Sequence, residues 1–219
     1  RISLSPNLPG LHDVDMSADL GAMIGLPVVT ENDALAAAYG EFTKTAAAVN
    51  NLIYLGLGTG VGGGLIVNRL PFQGQHGVAM EVGHIITDPQ GRICGCGNSG
   101  CMEQYASASG VAITYEELAG EQCSAAEIAA RAGAGDPNAV AAYKLAGESL
   151  AQALAHILKV VDVTDVVIGG GMSAGWYLME PAFSQRLDQD LIPALRGKVS
   201  VHISDMGDHA GMIGAAMLA

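Results

Sequence analysis

One histidine, three of the chain's four cysteines and two glutamates crowd two neighbouring strings, Glu81-Val82-Gly83-His84 and Cys94-Gly95-Cys96-Gly97-Asn98-Ser99-Gly100-Cys101-Met102-Glu103. His84, Cys94, Cys96 and Cys101 make the Cys₃His set that zinc takes in closed, tetrahedral structural sites. The Cys-x-Cys spacing is less usual than Cys-x₂-Cys, so the donor set carries this reading more than the spacing does. Glycines at 91, 95, 97 and 100 are expected to let the backbone wrap tightly and adopt positive φ. The alternative is a loop of three small buried cysteines, or one disulfide. Clustered Cys and His in a chain with no opening secretory pattern favours metal.

Two glycine runs and one dipeptide could serve phosphate chemistry. Gly58-Thr59-Gly60-Val61-Gly62-Gly63-Gly64 is expected to connect two strands, its inward amides forming an anion nest to which Thr59 adds a hydroxyl. The plain alternative is a flexible hairpin turn. With no lysine it is not a P-loop, and with no helix following at once it is not a dinucleotide fingerprint. The second run, Gly169-Gly170-Gly171, follows an apolar strand and reads equally as an ordinary strand-to-helix turn. Asn32-Asp33 opens a helix. Moving a phosphoryl group from ATP to a hydroxyl requires a carboxylate that orients the hydroxyl and accepts its proton, and Asp33 could be that group. On the dipeptide alone, either residue could instead cap the helix.

These residues must be positioned by alternating elements. Pro27–Thr30 reads as a short strand and 32–45 as an alanine-rich helix. Residues 51–57 and 65–68 read as a hairpin, 69–80 as a loop, and Gly83–Thr87 as strand-like before the metal loop and a helix near Cys101. Asp136-Pro137 is a helix N-cap and first position for a long helix to Lys159. Strands are expected at 165–168 and 199–203, with a closing helix over 210–218. Strand and helix alternate, which implies an α/β architecture.

Composition permits this without requiring it. The 219 residues are 50% hydrophobic and 15% charged, enough for a sizeable core. A net charge of −12 opposes nonspecific binding to nucleic acid or anionic membranes. The apolar, uncharged stretch Leu52–Val67 is too short and glycine-rich to span a bilayer. Reduced cysteines around a metal suggest the cytoplasm.

The run G-T-G-V-G-G-G, then E-V-G-H, then C-G-C-G-N-S-G-C-M-E, resembles the ROK family of sugar kinases and repressors. Glu31-Asn32-Asp33-Ala34 and the ending Asp208–Ala216 extend the resemblance over nearly the whole chain. It implies an actin-like, ribonuclease-H-like α/β fold and the reaction of ATP with a hexose to give ADP and a hexose 6-phosphate, with Mg²⁺ alongside the nucleotide. It implies that Asn32 and Asp33 hold the acceptor sugar with Asp33 as general base, and that Glu81, His84 and Glu103 complete that site. Gly60 would approach the sugar, Gly58 and Thr59 would face the ATP phosphates, and Gly169, Gly170 and Gly171 would form the adenosine-side loop. His84 would serve both structural zinc and sugar. Leu35 departs from the family, in which many members carry asparagine two positions after the aspartate.

The family's D-x-G-G-T-type phosphate loop is not matched. The nearest string, Asp19-Leu20-Gly21-Ala22-Met23, has helical spacing and no threonine. The chain is expected to begin inside a domain: residues 1–33 as a remnant of the N-terminal lobe, 34–205 as the large lobe with its zinc loop at 84–101, and 206–219 as a helix returning to the first lobe. By itself it is expected to keep sugar affinity and turn over little ATP. A homo-oligomer is expected. The rival readings are the sugar sensor of a ROK transcriptional regulator, for which alone nucleic acid would be a partner, and a sugar-binding module without catalysis.

Overall fold

A computed structural model describes residues 2–4, 12–45, 49–207 and 209–219. Ile2–Leu4 (β1) and His12–Val14 (β2) pair antiparallel as a sheet of their own. Asp15 then caps α1 (Met16–Ile24), its carboxylate accepting from the Ala18 amide at 3.1 Å, and the helix stops at Gly25 with φ +71°. The Asp19–Met23 string therefore lies on a helix, as its spacing implies. Pro27–Thr30 forms no strand. The main sheet does not include this β-prone run among its five strands.

That sheet has the order β5-β4-β3-β6-β7, built from Leu52–Leu57 (β3), Val61–Val67 (β4), Leu70–Pro71 (β5), Asp165–Gly169 (β6) and Ser200–Ile203 (β7). β4 pairs antiparallel with both β3 and β5, whereas β6 joins β3, and β7 joins β6, in parallel. Five of the six residues of β3 are buried, which is why it reads as a continuous apolar run rather than an alternating one.

The two faces carry different layers. Ile53, Leu55 and Leu57 enter the larger core, together with the long helix α6 (Pro137–Val161) and α3 (Glu103–Ala106), α4 (Ala108–Ala119), α5 (Ala125–Gly133) and α7 (Trp176–Asp190). Leu52, Tyr54, Ile66 and Val167 face a smaller core closed by α2 (Asp33–Thr45) and α8 (His209–Leu218). Asp136 caps α6 through the Asn138 and Ala139 amides, with Pro137 at the first helical position, as the sequence indicates.

α2 and α8 cross almost backbone to backbone. A Cβ added at Gly214 would lie 2.6 Å from the Ala36 carbonyl carbon, and one at Gly40 would lie 3.0 Å from that of Ala210. Glu41, buried at the same crossing, accepts from the Ser204 hydroxyl, while Lys44 pairs with Asp205. α2 is thus fastened to the segment after β7 as well as to α8. Among the described residues, no helix is long and apolar enough to cross a membrane.

Candidate active site

The start of α2 separates the roles of its first two polar residues. The Asn32 side-chain oxygen accepts from the Leu35 amide at 3.0 Å, which makes Asn32 the helix cap. Among the described residues Asp33 accepts only its neighbour's amide, Ala34, at 2.8 Å, and it is exposed. The cap is therefore present without needing Asp33. Leu35, where relatives often have asparagine, is buried against β4, its Cα 3.1 Å from a Cβ placed at Gly64.

The expected seven-residue glycine loop is smaller than the sequence implies. Leu57 pairs with Val61, so only Gly58-Thr59-Gly60 turn the chain, and Gly62, Gly63 and Gly64 lie inside β4. None of these glycines has positive φ. They are required by close approach instead: a Cβ at Gly62 would lie 2.9 Å from that of Ala34, one at Gly64 2.8 Å from the Ala34 carbonyl, and one at Gly63 2.7 Å from Val82. β4 is the seam against which the helix carrying Asp33 rests. Within the turn, the Gly58 amide donates to the Gly60 carbonyl at 2.9 Å, leaving exposed Thr59 at the apex.

Glu103, the first residue of α3, closes the other side. Its Oε2 accepts from the Val61 amide at 2.9 Å and lies 3.4 Å from a Cβ placed at Gly83. A side chain at Gly60 would meet the same carboxylate, its Cβ 3.2 Å from Glu103 Cδ. Gly60, Glu103 and the residue before His84 therefore converge at the start of β4, with Asp33 entering from α2 one residue before the Gly62 contact. The expected strand at Gly83–Thr87 is instead a single 3-10 turn, Val82–His84, followed by an isolated bridge between Ile86 and Cys101. A close-packed glycine at 83 and the need to turn His84 away from the sheet explain the difference. Exposed Glu81 sits immediately before that turn, and its carbonyl accepts from the His84 amide at 3.2 Å.

His84, Cys94, Cys96 and Cys101 place their donor atoms within 4.8 Å of one another. Ligands of a tetrahedral zinc, at about 2.3 Å for sulfur and about 2.0 Å for nitrogen, would be about 3.8 Å apart for two sulfurs and about 3.5 Å for sulfur and nitrogen. Cys96 and Cys101 stand 3.6 Å apart, and Cys94 is 3.6 Å from His84 Nδ1. The donors fit zinc, with Nδ1 as the histidine's ligand atom. A disulfide would need a separation of about 2.05 Å, and all four cysteines are free thiols. Burial, together with the neighbouring thiols, pushes Cys101 up to about 12, the expected cost of crowding thiols around a centre that calls for a cation.

The loop's glycines divide by cause. Gly97 and Gly100 have φ of +94° and +74°, as expected, but Gly91 and Gly95 do not have positive φ. Gly91 is small because a Cβ there would lie 2.7 Å from the Asp88 carboxylate. Arg92, which no spacing argument singles out, packs inside the loop, and the amide of Gly100 donates to its carbonyl at 2.7 Å.

On the far side of the sheet, Gly169 ends β6, Gly170 has φ +82°, and a 3-10 turn from Gly171 to Gly175 leads into α7. A Cβ at Gly169 would lie 2.6 Å from the Tyr54 hydroxyl and one at Gly170 2.7 Å from the Leu57 carbonyl carbon, whereas one at Gly171 meets nothing within 4 Å. Gly169 and Gly170 leave no room for a side chain against β3, and Gly171 faces open space. Trp176 sits edge-on to Phe183, with centroids 4.9 Å apart, and borders a cavity of about 270 Å³ along α7.

A family model described as ROK family matches residues 1–219. The N-acetylmannosamine kinase of Citrobacter koseri is 35% identical over 222 residues, covering 100% of this chain and 74% of that protein. A ROK family glucokinase from Streptomyces griseus, solved in complex with glucose and AMPPNP, superposes with a TM-score of 0.86 at 32% identity, covering 98% of this chain and 75% of that one. A ROK family transcriptional regulator, a homolog of the E. coli MLC protein, gives 0.85 at 29% identity over 95% of this chain and 55% of its own. These likenesses bring with them the expected actin-like ATPase fold.

Proposed function

Because the chain belongs to the ROK family, we propose that it transfers the γ-phosphoryl group of ATP to the 6-hydroxyl of a hexose, with Asp33 as general base. It is an ATP-dependent sugar kinase by its relatives, which are named for N-acetylmannosamine and glucose. The substrate class is accordingly glucose and its N-acetylated relatives.

The observation that carries the reading is the division of labour between Asn32 and Asp33. Asn32, the residue before the helix, accepts from the third helical amide and so serves as its cap, while Asp33, the first helical residue, accepts from the adjacent Ala34 amide and is not needed for that role. Asp33 is left exposed beside the seam at which Gly60 and Glu103 meet. In the proposed reaction the sugar O6 attacks the γ-phosphorus, its proton passes to Asp33, and ADP leaves. Mg²⁺ would enter with the nucleotide and neutralise phosphate charge.

Glu81, Glu103 and His84 would bind the remaining hydroxyls, together with the Asn32 amide. Acceptors covered by a bound sugar discriminate strongly, because a sugar lacking the matching hydroxyl leaves them unpaired. Zinc on His84 Nδ1 would hold the ring and leave Nε2–H to donate to a hydroxyl. The metal's part would be structural. Thr59 and the amides of the 58–60 turn would meet the phosphates, and open Gly171 would admit the adenosine side.

ADP release measured on the natural full-length protein with ATP, Mg²⁺ and a panel of glucose, N-acetylglucosamine and N-acetylmannosamine tests the proposal. Sugar-dependent ADP release with at least one of them is expected. Sugar binding with no turnover on any would overturn it in favour of a sensor domain, the reading to which the likeness to a ROK regulator gives some support.

A further inference from the structure

We infer that Arg92 is a positioning residue for the acceptor carboxylate Glu103, clamping the metal loop to the helix on which that glutamate stands; the inference rests on the reading of Glu103 as a sugar ligand. α3 has only four residues, too short to hold an orientation by its own hydrogen bonds. Something outside it must fix where Glu103 points.

Arg92 supplies that restraint. Its Nη1 donates to the Gln104 carbonyl at 2.5 Å, one residue from Glu103, and to the Gly110 carbonyl at 3.3 Å. Nη2 donates to Thr114 Oγ1 at 2.9 Å and, with Nε, grips the Glu117 carboxylate at 2.5 and 3.1 Å. The guanidinium lies over the Tyr105 ring, 4.7 Å from its centroid. Meanwhile the Arg92 amide donates to the Tyr105 hydroxyl at 3.0 Å, and its carbonyl accepts from Gly100, the residue before the ligand Cys101. One side chain, only 14% exposed, thus joins the metal loop, the turn of helix bearing Glu103 and the helix behind it.

The geometry depends on the planar fork. A lysine at this position keeps the charge but cannot reach the carbonyls of Gln104 and Gly110, the Thr114 hydroxyl and both Glu117 oxygens at once. Without the clamp, Glu103 would drift from the Val61 amide and from the sugar, while the four metal donors stay in place.

The experiment compares Arg92→Lys with wild type in the full-length protein. Expected are a hexose KM raised by roughly tenfold, ATP KM and kcat within about twofold, and one zinc per chain retained. Amide hydrogen exchange at Val61, whose hydrogen-bond acceptor is Glu103, should quicken by roughly tenfold relative to core amides of β3. That exchange reads the carboxylate whether or not sugar is phosphorylated, so failure here is separate from failure of the kinase reading. Glu117→Gln, which breaks only the exposed end of the clamp, should leave both readouts near wild type. An unchanged hexose KM with unchanged Val61 exchange would overturn the inference, as would loss of zinc with the lysine variant, which would make Arg92 a strut of the metal site. Should Arg92→Lys fail to fold, Thr114→Val removes a single clamp partner and should still quicken Val61 exchange by about twofold; no change there is the refuting result.

Discussion

Two glycine-to-alanine substitutions three residues apart in α8 should move stability in opposite directions. Both sites are helical, and replacing glycine by alanine in a helix gains up to about 1 kcal/mol by itself. At Gly211 a Cβ meets nothing within 4 Å, so Gly211→Ala should realise that gain. At Gly214 the Cβ would lie 2.6 Å from the Ala36 carbonyl carbon and 2.9 Å from the Gly40 amide nitrogen. Ordinary contact begins near about 3.5 Å, and the Ala36 carbonyl oxygen stands closer still than its carbon, so α8 must retreat by more than about 1 Å. Overpacking of that size costs about 1–3 kcal/mol, which outweighs the propensity gain. For a chain of this length, 1 kcal/mol is about 2–4 °C of Tm. Gly214→Ala should therefore lower Tm by a few degrees and Gly211→Ala should raise it slightly, both by calorimetry with the metal kept saturated. A rise in both would show that the helices separate freely and that the backbone crossing holds nothing.

Asp33→Asn should lower kcat by a factor of roughly 10² or more while leaving hexose and ATP binding nearly intact, because it removes the proton acceptor and keeps the shape; steady-state kinetics beside calorimetric titration separate the two, and near wild-type turnover would remove Asp33 from catalysis. Cys96→Ser should abolish stoichiometric zinc and cost folding free energy as well as sugar affinity, since structural zinc contributes to folding directly; metal analysis paired with thermal melts reads it, and full zinc occupancy in the variant would dismiss the proposed ligand set. Burial holds the Glu41 carboxyl above its ordinary range, against the Ser204 hydroxyl and the Lys44 charge, which pull it down. A carboxyl raised in the folded state favours folding at low pH, and this contribution is lost as pH rises through the folded value. Glu41→Gln should accordingly gain Tm relative to wild type as pH goes from acid to neutral, and a pH-independent difference would contradict the burial account.

The candidate metal cluster was legible from residue type and clustering, because few other roles bring Cys94, Cys96, Cys101 and His84 together, and the structure gathers their donor atoms. The glycines were misread in detail for a physical reason: glycine marks either an unusual φ or a missing side chain, and sequence does not say which. At Gly97 and Gly100 it was φ; at Gly62, Gly63 and Gly64 it was proximity. Pro27–Thr30 has strand propensity but joins no sheet, since pairing is decided by the rest of the fold. Which of Asn32 and Asp33 caps α2 needed coordinates, since both types cap well. Arg92 left no signal, as its partners at 104, 110, 114 and 117 form a set only once α3 and α4 fold against the loop.

The crossing of α2 and α8 has a consequence for how the molecule is assembled. β3 and β4 are neighbours in sequence and can zip early, and the metal loop closes on residues near it in the chain. The Ala36–Gly214 contact instead joins segments near opposite ends of the described chain, and such long-range closures come late in folding and slow it. Since synthesis proceeds from the N-terminus, α2 can dock on β4 early, but the side of it that meets α8 stays uncovered until α8 has been made. The carboxylate proposed to take the sugar's proton rides on α2. A half-synthesised chain would then have its four candidate metal donors together while the helix carrying Asp33 still lacked one of its two supports.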